Sequence, residues 1–386
     1  MTEHDLRRRL LTDPVPEELE AAARAWPLVR AAFEGRERVG WVERRSRLVL
    51  ALAAAAVIVG AAVSPPGQAV GSWIRDRVAG EEEAARPPFR LPAAGRLLVD
   101  SGHGPWVVQA NGSRRLLGAY EAATWSPRGL FVSVTRGKTL TAVEPETGEV
   151  RWSLDSPETV GQPRWSPTPG FRIAYRSGES LRVVVANGTR DRLLVKRAGP
   201  AAPAWRPGSR HVLAFVDAAG RIRVVDTDTR ANLWRTSPAG EVRQLFWSAD
   251  GARLAAVVDR GRIELYRRDG AFVRSLGTDG GLVRAAAFAP FGRAIAIIEG
   301  GRLRVVQPRT GVSETLLQMP GALEQLEWSP DGRWIVTARP EADQWLFVQT
   351  AAPNRVVTIS SVTREFDPGR TGEGEFPRIA GWSVTR

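Results

Sequence analysis

Short runs of hydrophobic residues, separated by turn-forming residues, occupy most of the chain. The runs at 254–258, 262–266 and 294–298 are rich in β-branched or aliphatic residues, and several of them alternate between apolar and polar positions. Such runs, bounded by Gly, Asn, Asp or Pro, are typical of short β-strands that tight turns connect. The pattern therefore predicts an all-β region from residue 95 onward.

An aromatic anchor, usually followed by a small residue and then Pro or Asp-Gly, recurs through this region. Successive anchors are 40, 40, 42, 41, 40 and finally 54 residues apart. A second turn divides most of these periods, so each period holds four short strands, which make one β-propeller blade. The anchors are Trp125, Trp165, Trp205, Trp247, Phe288, Trp328 and Trp382.

The two ends of the repeat region complement each other. Before the first anchor the sequence predicts three strands, at 96–100, 106–109 and 114–118, and around Trp382 it predicts only one. One strand plus three makes a full blade, and sharing it would remove the open sheet edges. We therefore predict an all-β fold: a seven-bladed β-propeller over residues 95–386 that its C-terminal strand closes.

Two anchor segments carry a family resemblance. WSPDGRWIV at 328–336 and WSADGARLA at 247–255 resemble the repeat of TolB-like, WD-repeat-related bacterial propellers, and ETGEVRW at 146–152 is similar to the quinoprotein-like repeat. The resemblance covers 95–386 and implies the fold; it implies little about function, because the repeat residues are structural. Arg206, Ala249 and Phe288 depart from the repeat, which suggests that it has drifted.

The polar segment 1–47 contains one predicted helix. Asp13, followed by two prolines and two glutamates, is typical of a helix start. Apolar residues then recur at steps of three and four over 17–33, which makes one apolar stripe. The stripe is explained either by a small helical packing unit or by a helix that binds a partner.

An uncharged run of 16 residues, LVLALAAAAVIVGAAV, follows at 48–63. We interpret 48–64 as a transmembrane helix, although a buried helix of a soluble domain is an alternative. Arg44, Arg45 and Arg47 border its N-terminal edge, so the positive-inside rule predicts a single pass with the N-terminus in the cytoplasm. Residues 65–94 then form a juxtamembrane stalk and the propeller is extracytoplasmic, an arrangement that resembles membrane-tethered propellers of high-GC Gram-positive bacteria.

Composition restricts the chemistry of the chain. The net charge is +12, and cysteine is absent, so thiolate nucleophiles and cysteine metal ligands are excluded. The basic excess is almost entirely arginine and is scattered along the chain. Such an excess fits either an anionic partner or an arginine-rich codon bias, and its scatter argues against nucleic acid as the partner.

The sequence predicts no catalytic centre, cofactor or metal. It contains no G-x-S-x-G elbow, no H-E-x-x-H motif and no phosphate-binding glycine loop. The three histidines are far apart in sequence. The acidic segment 226–229 has the composition of a calcium loop, but its place in the repeat favours a hairpin turn.

Propellers commonly bind through loops around one end of the central channel. The candidates here are charged residues in the connections between the second and third strands of the blades. The connection 361–376, an insertion rich in charge and glycine, is a second candidate contact surface. The candidate binding residues are His103, Arg136, Lys138, Arg176, Asp259, Arg260 and Arg339.

We predict a non-enzymatic, membrane-anchored binding or scaffold module for a protein or an anionic envelope polymer. One alternative is a transmembrane signalling protein in which the propeller senses and residues 1–47 hold a cytoplasmic regulator, as in anti-sigma factors. A propeller enzyme is the third hypothesis. The sequence does not identify the ligand.

Overall fold

The computed structural model describes residues 90–259, 261–277, 281–367 and 375–384. The predicted helix at 17–33, the transmembrane interpretation of 48–64 and nearly all of the stalk lie outside these residues. Within them, no helix has both the length and the apolar character needed to cross a membrane.

The described residues form seven four-stranded antiparallel sheets, one for each blade. Blade 1 is made by both ends of the repeat region. Its strands are β28 (Arg378–Ser383), β1 (Arg96–Ser101), β2 (Gly104–Val108) and β3 (Arg114–Leu116). Blade 2 contains β4 (Ala122–Trp125), β5 (Val132–Arg136), β6 (Thr139–Val143) and β7 (Val150–Asp155). Blade 3 contains β8 (Val160–Trp165), β9 (Arg172–Ser177), β10 (Ser180–Val185) and β11 (Arg192–Val195).

The other four blades follow in chain order. Blade 4 contains β12 (Ala204–Trp205), β13 (Val212–Val216), β14 (Ile222–Asp226) and β15 (Asn232–Thr236). Blade 5 contains β16 (Val242–Trp247), β17 (Arg253–Val258), β18 (Arg262–Arg267) and β19 (Phe272–Gly277). Blade 6 contains β20 (Val283–Phe288), β21 (Ile295–Glu299), β22 (Arg302–Val306) and β23 (Ser313–Gln318). Blade 7 contains β24 (Glu324–Trp328), β25 (Trp334–Arg339), a 3-10 turn (Pro340–Ala342), β26 (Gln344–Gln349) and β27 (Val356–Ser360), and helix α1 (Val362–Phe366) follows it.

The ring closes as the sequence predicts. The first strands of consecutive blades are neighbours all the way round, from β4 through β24 to β28 and back to β4, and they surround the central channel. The C-terminal strand β28 pairs antiparallel with β1, with Leu97 opposite Trp382. The seven-bladed propeller, the shared blade and the position of Trp382 are therefore confirmed.

The core lies between neighbouring blades. Every residue of β13 and of β21 is buried, because the second strand of a blade is covered by blades on both sides. The fourth strands lie at the rim, and β7 accordingly alternates between exposed and half-buried residues. Burial of the apolar second and third strands supplies the main stabilisation of the ring.

The anchors pack between blades, as the repeat predicts. The indole Nε1 of Trp247 donates a hydrogen bond to the carbonyl of Ala204 in the preceding blade (3.2 Å), and Trp328 donates in the same way to Ala287 (3.3 Å). Phe288 has no indole nitrogen, and its ring instead contacts Phe246 with centroids 5.3 Å apart.

The residues after an anchor form a tight turn. The hydroxyl of Ser248 accepts the backbone N–H of Arg253 at 3.0 Å and donates to Asp250 at 2.6 Å. Ser329 makes the equivalent bonds to Trp334 and Asp331. Gly251 and Gly332 have φ of 63° and 69°, a conformation that favours glycine. The small residue after the aromatic anchor is therefore a buried turn residue.

Candidate binding faces and channel

The propeller has two faces with different connections. We call the upper face the one formed by the connections between the second and third strands and by the connections between blades. The lower face carries the connections after the first and third strands. The strand order places six of the seven candidate binding residues on the upper face. The seventh, Arg260, lies outside the described residues.

The upper-face arginines are bonded to the connections between blades. Arg136 donates from Nε to the carbonyl of Ala119 at 2.6 Å, and its guanidinium lies 5.3 Å from the ring centroid of Tyr120. Arg176 donates to the carbonyls of Gly199 and Ala198. These two side chains are therefore fixed in position and tie adjacent segments together.

The other candidate side chains differ in their exposure and in their hydrogen bonds. Asp259 is exposed, and one of its oxygens accepts the backbone N–H of Glu241 at 2.7 Å. Arg339 is half-buried, and its buried Nε has no hydrogen-bond partner among the described residues. Lys138 is exposed at the turn after β5. Lys138 therefore presents an accessible cation on a face whose neighbouring side chains are held by hydrogen bonds.

The insertion at 361–376 is only partly a surface loop. Helix α1 packs against blades 1 and 7: Phe366 is fully buried, with its ring centroid 6.0 Å from that of Trp106 and 5.0 Å from that of Trp345. Glu365 accepts a hydrogen bond of 2.6 Å from Arg114. The first residues of this candidate contact surface therefore pack against the ring, and 368–374 lie outside the described residues.

One candidate, His103, bonds to this insertion. Its Nδ1 is hydrogen-bonded to a carboxylate oxygen of Asp367, and its side chain is 49% exposed. His103 therefore helps to hold the insertion against blade 1 and still presents part of its ring to solvent.

Sequence reasoning missed a charged cluster in the central channel. The residue before each anchor is half-buried and lies on the first strand of its blade, which borders the channel, and in blades 3 and 7 it is Arg164 and Glu327. Arg378 of β28 interacts electrostatically with both side chains, and Asp100 of β1, which is ion-paired with Arg378, interacts with Arg164. The sequence carried one signal of this cluster: the residue before the anchor is charged in blades 3 and 7 and uncharged in the other five blades. The five uncharged residues are Thr124, Ala204, Phe246, Ala287 and Gly381.

Burial sets the ionisation of this cluster. It raises the pKa of Glu327 to about 7, although the charges of Arg164 and Arg378 oppose the shift. Burial likewise raises the pKa of Asp100 to about 6, against a hydrogen bond and the charge of Arg378. Burial and the charge of Arg378 lower the pKa of Arg164. The channel therefore holds a carboxyl group that changes charge near neutral pH.

The acidic segment 226–229 is a turn. A carboxylate oxygen of Asp226 accepts the backbone N–H groups of Asp228 and Thr229, at 3.0 and 3.2 Å. The interpretation of this segment as a turn is therefore confirmed. Across the described parts of the chain, no three His, Asp or Glu side chains are grouped as a metal site would require.

Comparison with known proteins supports the fold. No protein-family model matches the chain, and no match was found among curated proteins. A chain of a solved mitotic checkpoint complex is similar, with a TM-score of 0.52 and 17% identity over 62% of this chain and 76% of that one. The Swd1 β-propeller domain of Myceliophteria thermophila has a TM-score of 0.54 and 14% identity over 64% of this chain and 91% of that domain.

At these identities the similarity shows the β-propeller fold and nothing further. The narrower resemblance to TolB-like bacterial propellers stays a prediction, as does the high-GC Gram-positive arrangement.

Proposed function

We propose that this propeller is a non-catalytic binding or scaffold module that docks a polar partner, a protein or an anionic envelope polymer, on its upper face. The observation that carries the proposal is the way the upper-face loops are held. Arg136, Arg176 and Asp259 each bond to a connection between blades, so three separate blades present fixed loops on one face.

Fixed loops favour binding, because a partner does not have to order them when it docks. The same face carries exposed charge of both signs: the side chains of Glu179 and Arg197, which are paired with each other at 3.2 Å, are each 72% exposed, and Lys138 is exposed in blade 2. Exposed rim charges of this kind contribute to orientation and association rate more than to affinity. The face therefore fits a polar or charged partner better than an apolar one.

Charge variants test the docking face. Lys138→Glu reverses an exposed upper-face charge without breaking a side-chain bond among the described residues. Arg309→Glu makes the same change on an exposed lower-face residue. Partner recovery with the full-length chain, after crosslinking in intact cells, should fall for Lys138→Glu and be unchanged for Arg309→Glu. Equal recovery with both variants would contradict the upper face as the docking face.

We also propose that residues 48–64 anchor the chain in the cell membrane in a single pass, with the N-terminus inside and the propeller outside. The uncharged run and the arginines at 44, 45 and 47 support this topology. Protease added to intact protoplasts should remove the propeller and spare roughly the first 45 residues, the length that the inside segment has under this topology. Full protection of the propeller would overturn the outside location.

The apolar stripe at 17–33 supports a second candidate, a transmembrane signalling protein with a cytoplasmic partner. Affinity capture with residues 1–47 separates the two functions. A scaffold that acts only outside the membrane predicts no specific partner for this segment, whereas a signalling protein predicts a cytoplasmic one.

A further inference from the structure

One repeat carries an arginine where the others carry a small residue. Position 206 follows the anchor Trp205, and the equivalent residues are Ser126, Ser166, Ser248, Ala289, Ser329 and Ser383. All six of these side chains are buried, and several accept a backbone N–H of their own turn. A long cation cannot take that place, so the Arg206 side chain must leave the turn.

The Arg206 side chain crosses from blade 4 to blade 5. A Cβ built on Gly251, in the turn after the next anchor, would lie 3.2 Å from Cγ of Arg206, so the arginine stem passes close to that turn. The guanidinium lies 5.9 Å from the ring centroid of Trp247. Glycine at 251 and the tryptophan face therefore provide the space and the surface on which this cation rests.

Two more arginines lie on adjoining turns. Arg210 lies on the connection between β12 and β13, and the backbone N–H of Arg206 donates to the carbonyl of Val212, just beyond that connection, at 2.9 Å. Arg268 lies on the turn between β18 and β19 of blade 5, and its backbone N–H donates to the carbonyl of Ala252, beside Gly251, at 3.2 Å. Burial lowers the pKa of Arg206, and the charges of Arg210 and Arg268 lower it further. Three arginines thus lie on adjoining turns where two blades meet on the lower face.

Acidic groups only partly compensate this charge. Asp226 lies 3.4 Å from Nε of Arg210 and also accepts two backbone N–H groups of its own turn. Arg206 and Arg268 have no acidic side chain within ion-pair distance among the residues that the structure describes. Arg293, on the same face in blade 6, is by contrast paired with Asp250 at 2.9 Å. Two of the three arginines at this junction therefore keep an unpaired positive charge.

We propose that Arg206, Arg210 and Arg268 form a binding site for a phosphate group at the junction of blades 4 and 5. Guanidinium groups match the oxygens of a phosphate with paired N–H donors, and such charge-assisted bonds are stronger than neutral ones. A bound dianion would also relieve the repulsion among the three cations. The site is on the face opposite the proposed docking face and does not depend on that proposal.

The phosphate has two sources that the structure leaves open to experiment: a soluble phosphate and a phospholipid headgroup. Both sources are tested.

The test is calorimetric titration of the full-length chain in detergent with two probes, sodium phosphate and dihexanoyl phosphatidylglycerol, at constant ionic strength. Arg206→Ser gives this repeat the residue that most of the others have, and it should weaken phosphate binding at least about tenfold, through loss of one charge-assisted contact. Arg309→Ser, at an exposed lower-face arginine on the turn of blade 6 that corresponds to the Arg268 turn of blade 5, is the matched control and should bind as the wild type does.

Each outcome decides the proposal. Arg206-dependent binding of both probes supports the site with free phosphate as a sufficient ligand, and Arg206-dependent binding of the lipid alone supports a headgroup site. Binding of neither probe, or equal binding by wild type and Arg206→Ser, overturns it. If Arg206→Ser does not fold, Arg268→Ser removes an exposed cation of the same site and should show the same loss.

Discussion

The indole Nε1 of Trp205 donates a hydrogen bond of 2.8 Å to the backbone carbonyl of Arg164 in the preceding blade. The bond links an anchor to the residue just before the anchor of the preceding blade, and Trp247 and Trp328 repeat it. In blades 4, 5 and 7 the anchor therefore has two roles. Its side chain fills the space between blades, and its indole nitrogen fixes the register of one first strand against the next.

Because only some anchor tryptophans make this hydrogen bond, replacing them with phenylalanine should destabilise the chain by different amounts. Trp205→Phe loses the bond to Arg164, whereas Trp165→Phe does not lose one, since the buried Nε1 of Trp165 has no partner among the described residues. We expect Trp205→Phe to be more destabilising than Trp165→Phe by about 0.5–1.5 kcal/mol. Chemical denaturation of the two variants measures the difference. Equal free energies of unfolding would mean that the indole bond contributes nothing.

Ring closure gives a second prediction. Deletion of 379–386 removes the strand that pairs with β1 and takes the buried Ile379 and Trp382 out of the cluster between blades 7 and 1. Loss of a buried tryptophan alone costs about 3–5 kcal/mol, a large share of the roughly 5–15 kcal/mol that keeps a domain folded. The truncated chain should aggregate or unfold near body temperature. Val384→Ala, at a residue that is 44% exposed, is the control and should melt as the intact chain does.

Helix α1 should contribute to stability although it belongs to an insertion. Phe366→Ala empties a fully buried position between Trp106 and Trp345 and should cost about 3–5 kcal/mol. Arg364→Ala, two residues away with a side chain that is 79% exposed, should change the melting temperature little. Similar melting temperatures for the two variants would show that the insertion does not stabilise the ring.

The channel carboxyl of Glu327 should make stability depend on pH. Its pKa rises from 4.5 to about 7 in the folded chain, so the folded state holds this proton more tightly than the unfolded state does. The resulting stabilisation is fully present below pH 4.5 and is lost as the pH rises through about 7. Glu327→Gln cannot ionise and should keep its stability over this range.

We therefore expect the melting temperature of Glu327→Gln, relative to the wild type, to rise between pH 5 and pH 8. Glu324→Gln is the control from the same strand, with a side chain that is 42% exposed beside Arg284. The difference in melting temperature between Glu324→Gln and the wild type should be the same at pH 5 and pH 8. A Glu327→Gln difference that does not change with pH would contradict the burial of an ionisable group in the channel.

The fold could be predicted from the sequence because the anchor segment has the same structural role in most blades. Trp328, Ser329 and Gly332 each satisfy a local requirement: an aromatic between blades, a buried hydroxyl that bonds its own turn, and a backbone at φ of 69°. Because these requirements recur along the chain, the number of blades can be counted from the sequence. The pairing of β28 with β1 followed from counting strands at the two ends.

The sites could be predicted only in part, because they depend on contacts between blades. The position of Lys138 on the upper face follows from strand order alone. The proximity of Arg164 to Glu327 depends on the ring bringing blades 3 and 7 together across the channel, and no local pattern encodes it. The burial of Phe366 was missed because glycine and charge in the rest of the insertion resemble a solvent-exposed loop.

The central claim is that the upper face docks a partner, and site-specific photocrosslinking in intact cells tests it most directly. The full-length chain would carry a photoreactive amino acid at position 138 of the upper face or at position 309 of the lower face, both exposed. The account predicts a specific adduct of higher mass from position 138 and none from position 309. An adduct from position 309 with none from position 138, or no adduct from either position, would contradict it.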